Sequence, residues 1–193
     1  MSGPAERVEQ TFTYADYLTW PEDERWEIID GQAWDMAPAP GATHQDVVGG
    51  LYMQVRTALK GRPCKVYLAP FDVRLPRADE ADDRVDTVVQ PDLSIFCDRG
   101  KIDDRGARGA PDWVIEVLSP HTARKDHTTK RDLYARCGVA EYWLIHPLDR
   151  VLTIYRREGE GFGPPSIAAA QGVTRAEALE IDIDWEQVFE AEA

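Results

Sequence analysis

Two acids stand out for the company they keep. Asp92 follows Gln90-Pro91 at the mouth of one apolar run, and 24 positions later Glu116 lies between Ile115 and Val117 inside another. An ionised carboxylate in an apolar setting is unfavourable unless a cation or several donors offset its lost hydration. Two acids converging from neighbouring strands suit a hard divalent cation. Mg2+ takes few protein carboxylates, keeps several waters and completes its octahedron with phosphate oxygens. The matching reaction is metal-assisted hydrolysis of a phosphodiester. A plainer reading makes Asp92 a strand-end cap and Glu116 half of a solvent-facing pair with an arginine. Pro111-Asp112 shows how easily the Pro-Asp dipeptide arises, and spacing alone leaves both readings open.

A third charge follows shortly. Asp126, Lys130 and Tyr134 fall at steps of four in a segment that reads as a helix, so their side chains share one face. Lys130 on that face could orient a nucleophilic water and stabilise charge at a phosphorus centre; the alternative is an ordinary Asp-Lys surface pair. Residues 121–137 carry five Lys or Arg against two Asp, a locally basic stretch that suits a phosphate-facing edge or a solvated face.

The elements that must position these groups follow from hydrophobic period and punctuation. Residues 88–96 and 113–118 are apolar runs too short for independent helices and are expected as buried strands. Residues 122–137 read as a helix closed by Gly138 in the left-handed position. Val47, Val48, Leu51, Val55 and Leu59 recur at steps of three and four and predict an amphipathic helix over 44–60. Residues 13–20 open with a threonine cap and stop at Pro21. Asp30-Gly31 predicts a tight hairpin between two short strands in 25–36, with Glu27 on the first. Residues 64–68 and 71–75 are strand-like pieces parted by Pro70, and 76–87 reads as an exposed charged loop. Residues 141–146 and 151–156 form a further strand pair.

The chain has 193 residues, one domain with some decoration, and its 43% hydrophobic content excludes wholesale disorder. A net charge of −13 excludes gripping DNA or anionic membranes through overall charge, so any basic surface must be local. Cys64, Cys97 and Cys137 contain no CxxC pair, and reduced thiols in the cytoplasm are the expectation. No basic-then-apolar leader and no membrane-spanning run is read. A phosphate-cradling GxGxxG or GxxxxGK[ST] is absent from the sequence, which argues against a nucleoside-triphosphate site.

Taken in order, Tyr14-x-Asp16-Tyr17-Leu18, Trp26-Glu27-Ile28-Ile29-Asp30-Gly31, His44 opening a helix, Pro91-Asp92, Pro111-Asp112-x-Val114-Ile115-Glu116-Val117-Leu118-Ser119-Pro120, Asp126-x-x-x-Lys130-x-x-x-Tyr134 and Gly138-Val139-x-Glu141-Tyr142-Trp143 resemble the Uma2 family. This is a branch of the PD-(D/E)XK nuclease superfamily, described as restriction endonucleases. The resemblance spans roughly residues 13–156. It implies an α/β fold, a restriction-endonuclease-like mixed sheet flanked by helices. It also implies a Mg2+ or Mn2+ site at Asp92 and Glu116, with Glu27 as third carboxylate, and endonucleolytic hydrolysis of nucleic acid, in particular DNA. The superfamily's lysine two residues after the second acid is replaced here by Leu118, and the resemblance implies that Lys130 takes its role. His44 matches a recurrent family histidine that touches substrate or positions a loop, and Asp126 and Tyr134 are candidate supports.

The expectation is therefore one nuclease-like domain over residues 1–193, with 1–12 a flexible N-terminus and 177–193 an acidic tail or docking helix. A homodimer is expected from the four successive apolar or aromatic residues Tyr142-Trp143-Leu144-Ile145 and from the pairing of related nucleases; core burial of alternate residues is the competing explanation of that run. A non-catalytic protein on the same scaffold and a metal hydrolase of small phosphoesters are the alternative functions.

Overall fold

The computed structural model describes residues 10–21, 23–36 and 39–189. Residues 1–9 and 190–193, most of the expected N-terminal arm and the end of the acidic tail, lie outside the described residues.

The chain opens with a one-turn helix, α1 (Tyr14–Tyr17), capped as its sequence predicts: the main-chain N–H and hydroxyl of Thr13 both donate to Asp16 Oδ2, at 2.8 and 2.9 Å. Strands β1 (Trp26–Ile29) and β2 (Gln32–Asp35) follow, joined by Asp30 and Gly31 at φ of 52° and 76°. Two positive φ values make the hairpin turn whose twist matches its strands. Helix α2 (Ala42–Ala58) begins two residues before His44. After it come β3 (Lys65–Leu68), β4 (Val73–Arg74), β5 (Val88–Val89), β6 (Leu93–Phe96), β7 (Ile102–Asp103), β8 (Gly106–Arg108) and β9 (Trp113–Val117).

A helical stretch then runs as α3 (Ala123–Lys125), a π turn over Asp126–Lys130, and α4 (Arg131–Cys137). It ends at Gly138 with φ 89°, the left-handed stop the sequence predicts. Strands β10 (Glu141–His146), β11 (Val151–Glu158), β12 (Gly161–Phe162), β13 (Ser166–Ala169), β14 (Val173–Ala176) and β15 (Ile181–Asp184), then α5 (Trp185–Phe189), complete the chain.

The central sheet has the order β12-β11-β10-β9-β6-β3, with β13 also on β11; a second sheet runs β2-β1-β5-β4-β8-β7, and β14 and β15 form a separate hairpin. Among the described residues β9 with β10 and β4 with β8 pair in parallel and the other strand pairs are antiparallel, so the architecture is mixed. Both faces of the central sheet are covered. On one, Trp113, Ile115, Val117, Trp143 and Ile145 pack against Val47, Leu51 and Val55 of α2 and Trp185 and Val188 of α5. On the other, Val114, Tyr142 and Leu144 pack against Leu133 and Tyr134. Strands buried on both faces read as continuous apolar runs, and alternate residues serve different layers. The buried apolar residues of the central sheet therefore divide between two layers, while Phe12 and Tyr17 are only half-buried.

Several expectations are corrected. Residues 88–96 are not one strand. Pro91 has no N–H to give to a ladder, and the chain breaks there, so that β5 joins one sheet and β6 the other. The charged loop 76–87 is tied down at its middle: buried Arg74 bonds Asp82 at 2.6 Å, and Val85 is fully buried beside Tyr14 and Val88. Cys64 and Cys97 are not reduced but joined in a disulfide. The antiparallel register Lys65↔Phe96 sets them opposite one another just beyond the paired strands, a proximity that a sequence separation of 33 conceals. Tyr142 to Ile145 lie on an interior strand between β9 and β11 and are all buried, so this apolar run fills the core and offers no surface for a dimer contact. Residues 177–189 contribute β15 and α5, whose Trp185, Val188 and Phe189 are buried in the α2 layer.

Candidate functional site

The break at Pro91 and the period-two alternation of β9 create the site together. Trp113, Ile115 and Val117 face α2, so Glu116 faces the opposite way, with Val114, toward the helical stretch. Asp92 sits where the chain leaves one sheet for the other. The two acids share the β6–β9 boundary through reciprocal main-chain bonds: Asp92 N–H donates to Glu116 Oε2 at 3.2 Å, and Val117 N–H donates to Asp92 Oδ2 at 2.8 Å.

Lys130, 3% exposed, reaches this pair from the π turn. Its Nζ lies 2.8 Å from Glu116 Oε1, 2.8 Å from Glu27 Oε1 and 3.8 Å from Asp126 Oδ1. One turn further on, Tyr134 OH donates to Glu116 Oε1 at 3.2 Å. The step-of-four reading thus holds for side-chain direction, although the helix is not regular. The π turn adds a residue at the point where Asp126 and Lys130 must both face inward, and Tyr142 OH supplies the Asp126 carbonyl with a donor at 3.2 Å. His44, in the first turn of α2, places Nε2 3.2 Å from Asp92 Oδ2.

Glu27 comes from β1 of the neighbouring sheet and is fully buried. Gln90 N–H and Lys130 Nζ donate to its Oε1 at 2.9 and 2.8 Å, and Lys125 Nζ to its Oε2 at 2.6 Å. Both oxygens therefore face ammonium groups. Lys125 and Gln90 were not singled out from the sequence; the basic count over 121–137 included Lys125 without distinguishing it from its neighbours. Glu141, part of the motif order, stands away from the site, accepting from Trp143 Nε1 and from Ala178 N–H, both at 2.8 Å.

The electrostatics follow from crowding. Asp92, Glu116, Asp126 and Glu27 face Lys125 and Lys130, an excess of two negative charges apart from His44. Burial, with the carboxylates of Asp126, Asp92 and Glu27, pushes the Glu116 carboxyl up to about 8 against the pull of Lys130. Burial opposes ionisation of Glu27 as well, but Lys130 and Lys125 outweigh it and hold that carboxyl at about 2. Burial likewise raises Asp126. For His44, burial works against the imidazolium, and the bond and charge of Asp92 prevail, so its pKa is raised. Asp126 Oδ1 and His44 Nδ1 are buried without a hydrogen-bond partner.

A cleft of about 370 Å³ opens over Asp92, Glu116, His44, Asp126, Lys125 and Lys130. A larger hollow, about 770 Å³, lies beside Asp30, Arg77 and Arg136, but both arginines there are taken up by Asp30, at 2.8 and 2.6 Å. The acids, the two lysines and His44 line the smaller cleft. Among the described residues no three His, Cys, Asp or Glu side chains gather closely enough to hold an ion by themselves. The donor set is two carboxylates at the rim of a negatively charged cleft, which fits Mg2+, an ion that commonly takes one or two carboxylates and leaves its other positions to water and phosphate.

No helix among the described residues is long and apolar enough to cross a membrane. No curated protein matches the chain. Among solved structures, the fold is similar to one titled a putative nuclease belonging to DUF820 from Anabaena variabilis, at a TM-score of 0.72 and 20% identity over 93% of this chain and 98% of that one. The family model described as "Putative restriction endonuclease" matches residues 14–186. The central sheet and the acid-lysine cluster fall within that span, and the chain belongs to the Uma2 family.

Proposed function

We propose that the protein is a metal-dependent endonuclease that hydrolyses phosphodiester bonds in nucleic acid, with Mg2+ or Mn2+ held by Asp92 and Glu116. The observation that carries this reading is the buried lysine on the second acid: Lys130 Nζ at 2.8 Å from Glu116 Oε1. When bound, the metal would supply Lewis-acid polarisation of the phosphate and a more acidic water.

The chain's own groups do the rest. An ammonium carries three donors. Glu116 and Glu27 take two of those on Lys130, leaving one with only the 3.8 Å approach of Asp126. That donor is the candidate for orienting the attacking water and stabilising charge at phosphorus. Glu27 acts as the positioning counter-ion of Lys130 and Lys125, a role its partners favour over that of third metal ligand. Tyr134 fixes the same Glu116 oxygen, and His44 steadies Asp92 at the cleft wall. The test is single-turnover cleavage of supercoiled plasmid and of oligonucleotides with Mg2+ or Mn2+, comparing wild type with Asp92→Asn and Glu116→Gln. Loss of cleavage in both variants with retained folding supports the reading; wild-type inactivity on every nucleic acid tried overturns it in favour of a non-catalytic scaffold.

A further inference from the structure

The site lies at the N-terminal end of α2, and the other end of that helix carries a feature the proposed chemistry does not use. Arg56, Lys60, Arg62, Lys65 and Arg99 surround one groove of about 580 Å³ whose lining contains no acid. All five are exposed. In a chain with 13 more acids than bases this is an uneven placement: elsewhere Arg74, Arg77, Arg108, Lys125, Lys130, Arg136, Arg156 and Arg175 each pair with a carboxylate. None of the five has such a partner among the described residues. Arg62 Nη1 donates to the Leu179 carbonyl at 2.6 Å and Arg99 Nε to the Pro63 carbonyl at 3.3 Å, bonds that orient the groups and leave their charge uncompensated. Arg56 lies over the Tyr52 ring, 6.0 Å from its centre. The Cys64–Cys97 bond ties the segment bearing Arg62 and Lys65 to the one bearing Arg99.

We infer that this groove is a backbone-binding surface for nucleic acid, holding the strand as it leaves the carboxylate cleft. The inference rests on the nuclease reading of that cleft and adds where the polymer runs. Uncompensated, exposed cations gathered along a groove are what a chain of phosphates recognises, and a base can stack on an aromatic ring beside them. The separation fits. His44 and Arg56 are 12 residues apart on α2, about 18 Å at 1.5 Å per residue, or about five base-pair steps of 3.4 Å. A local positive surface also answers the difficulty that an overall charge of −13 poses for a polyanionic substrate.

The test is the triple variant Arg56→Gln, Lys60→Gln, Lys65→Gln, chosen because the side chains of these three donate no hydrogen bond among the described residues. Binding is followed by fluorescence anisotropy without divalent metal, between about 50 and 200 mM salt, on a duplex of about 30 base pairs and on a tetranucleotide. Thermal unfolding verifies that the variant is folded. With all three cations on phosphates, the slope of log K against log salt should become shallower by about 2.7, from about 0.9 per contact. Duplex affinity should fall at least about tenfold while tetranucleotide binding stays unchanged. In cleavage the variant should show a raised KM on the long duplex with kcat intact. Wild-type protein that binds no nucleic acid overturns the inference, as does a triple variant that binds the duplex like wild type. Phosphatidylserine vesicles that lose binding to the variant while the duplex does not would assign the groove to a membrane surface instead. Wild-type binding with no cleavage would sink the catalytic reading and leave the groove standing.

Discussion

Lys130→Met removes one charge at nearly constant volume, and the structure sets the size of the effect. The ammonium is buried and lies within 2.8 Å of both Glu116 and Glu27 and 3.8 Å of Asp126. Without it, the ammonium left to these buried acids among the described residues is Lys125, bonded to Glu27. Breaking a buried pair by deleting one partner costs about 3–5 kcal/mol. For a domain of this size each kcal/mol moves Tm by about 2–4 °C, so the variant should melt roughly 6–20 °C lower near neutral pH. The pH dependence is a second signature. The pKa of Lys130 is raised in the folded state, so its own contribution persists until pH exceeds the ordinary ammonium range and is constant between pH 5 and 8. In the variant the stranded carboxyls bind protons more tightly when folded than when unfolded, and that gain is lost as pH rises. The deficit should therefore grow from pH 5 to pH 8. Thermal unfolding by circular dichroism across that window measures it, with the half-buried Arg131→Met as control. A Tm within about 2 °C of wild type, or a deficit that shrinks with rising pH, would refute the reasoning.

Three further outcomes are expected. Glu116, pushed up to about 8, binds a proton in the folded state that the unfolded chain releases near 4.5, so wild-type stability should fall as pH rises between these values; Glu116→Gln should flatten the Tm profile there, and a wild-type profile already flat counts against the raised pKa. Lys130→Ala, assayed well below its melting point, should keep metal binding by calorimetry while losing roughly two to three orders of magnitude in single-turnover rate, and full activity would remove the water-orienting role. Ile115→Asp places an unpaired charge in the α2 layer and should cost several kcal/mol by denaturant unfolding; an unchanged midpoint would show that β9 is not central.

What the sequence determined was whatever depends on neighbours along the chain. Thr13 and Asp16 could cap α1 because they are three residues apart; Asp30-Gly31 could turn because its backbone tolerates positive φ; Gly138 could end a helix for the same reason. The acid-in-apolar-run signal at Glu116 and the step-of-four face of Asp126, Lys130 and Tyr134 are equally local, and they brought most of the cleft into view. Tertiary structure decided what crosses the chain. It divided 88–96 between two sheets at Pro91, set Cys64 opposite Cys97, and turned the apolar run of β10 into the filling of two layers. It gave Glu27 two lysines as partners, one of them 98 positions away. It also gathered five cations from α2, the following turn, β3 and the turn after β6 into one groove that no window of sequence contains. The physical reason is common to all of these: a side chain's local preference is fixed by its own backbone and near neighbours, whereas its charge partners and its burial depend on strand register and layer packing, which only the folded chain supplies.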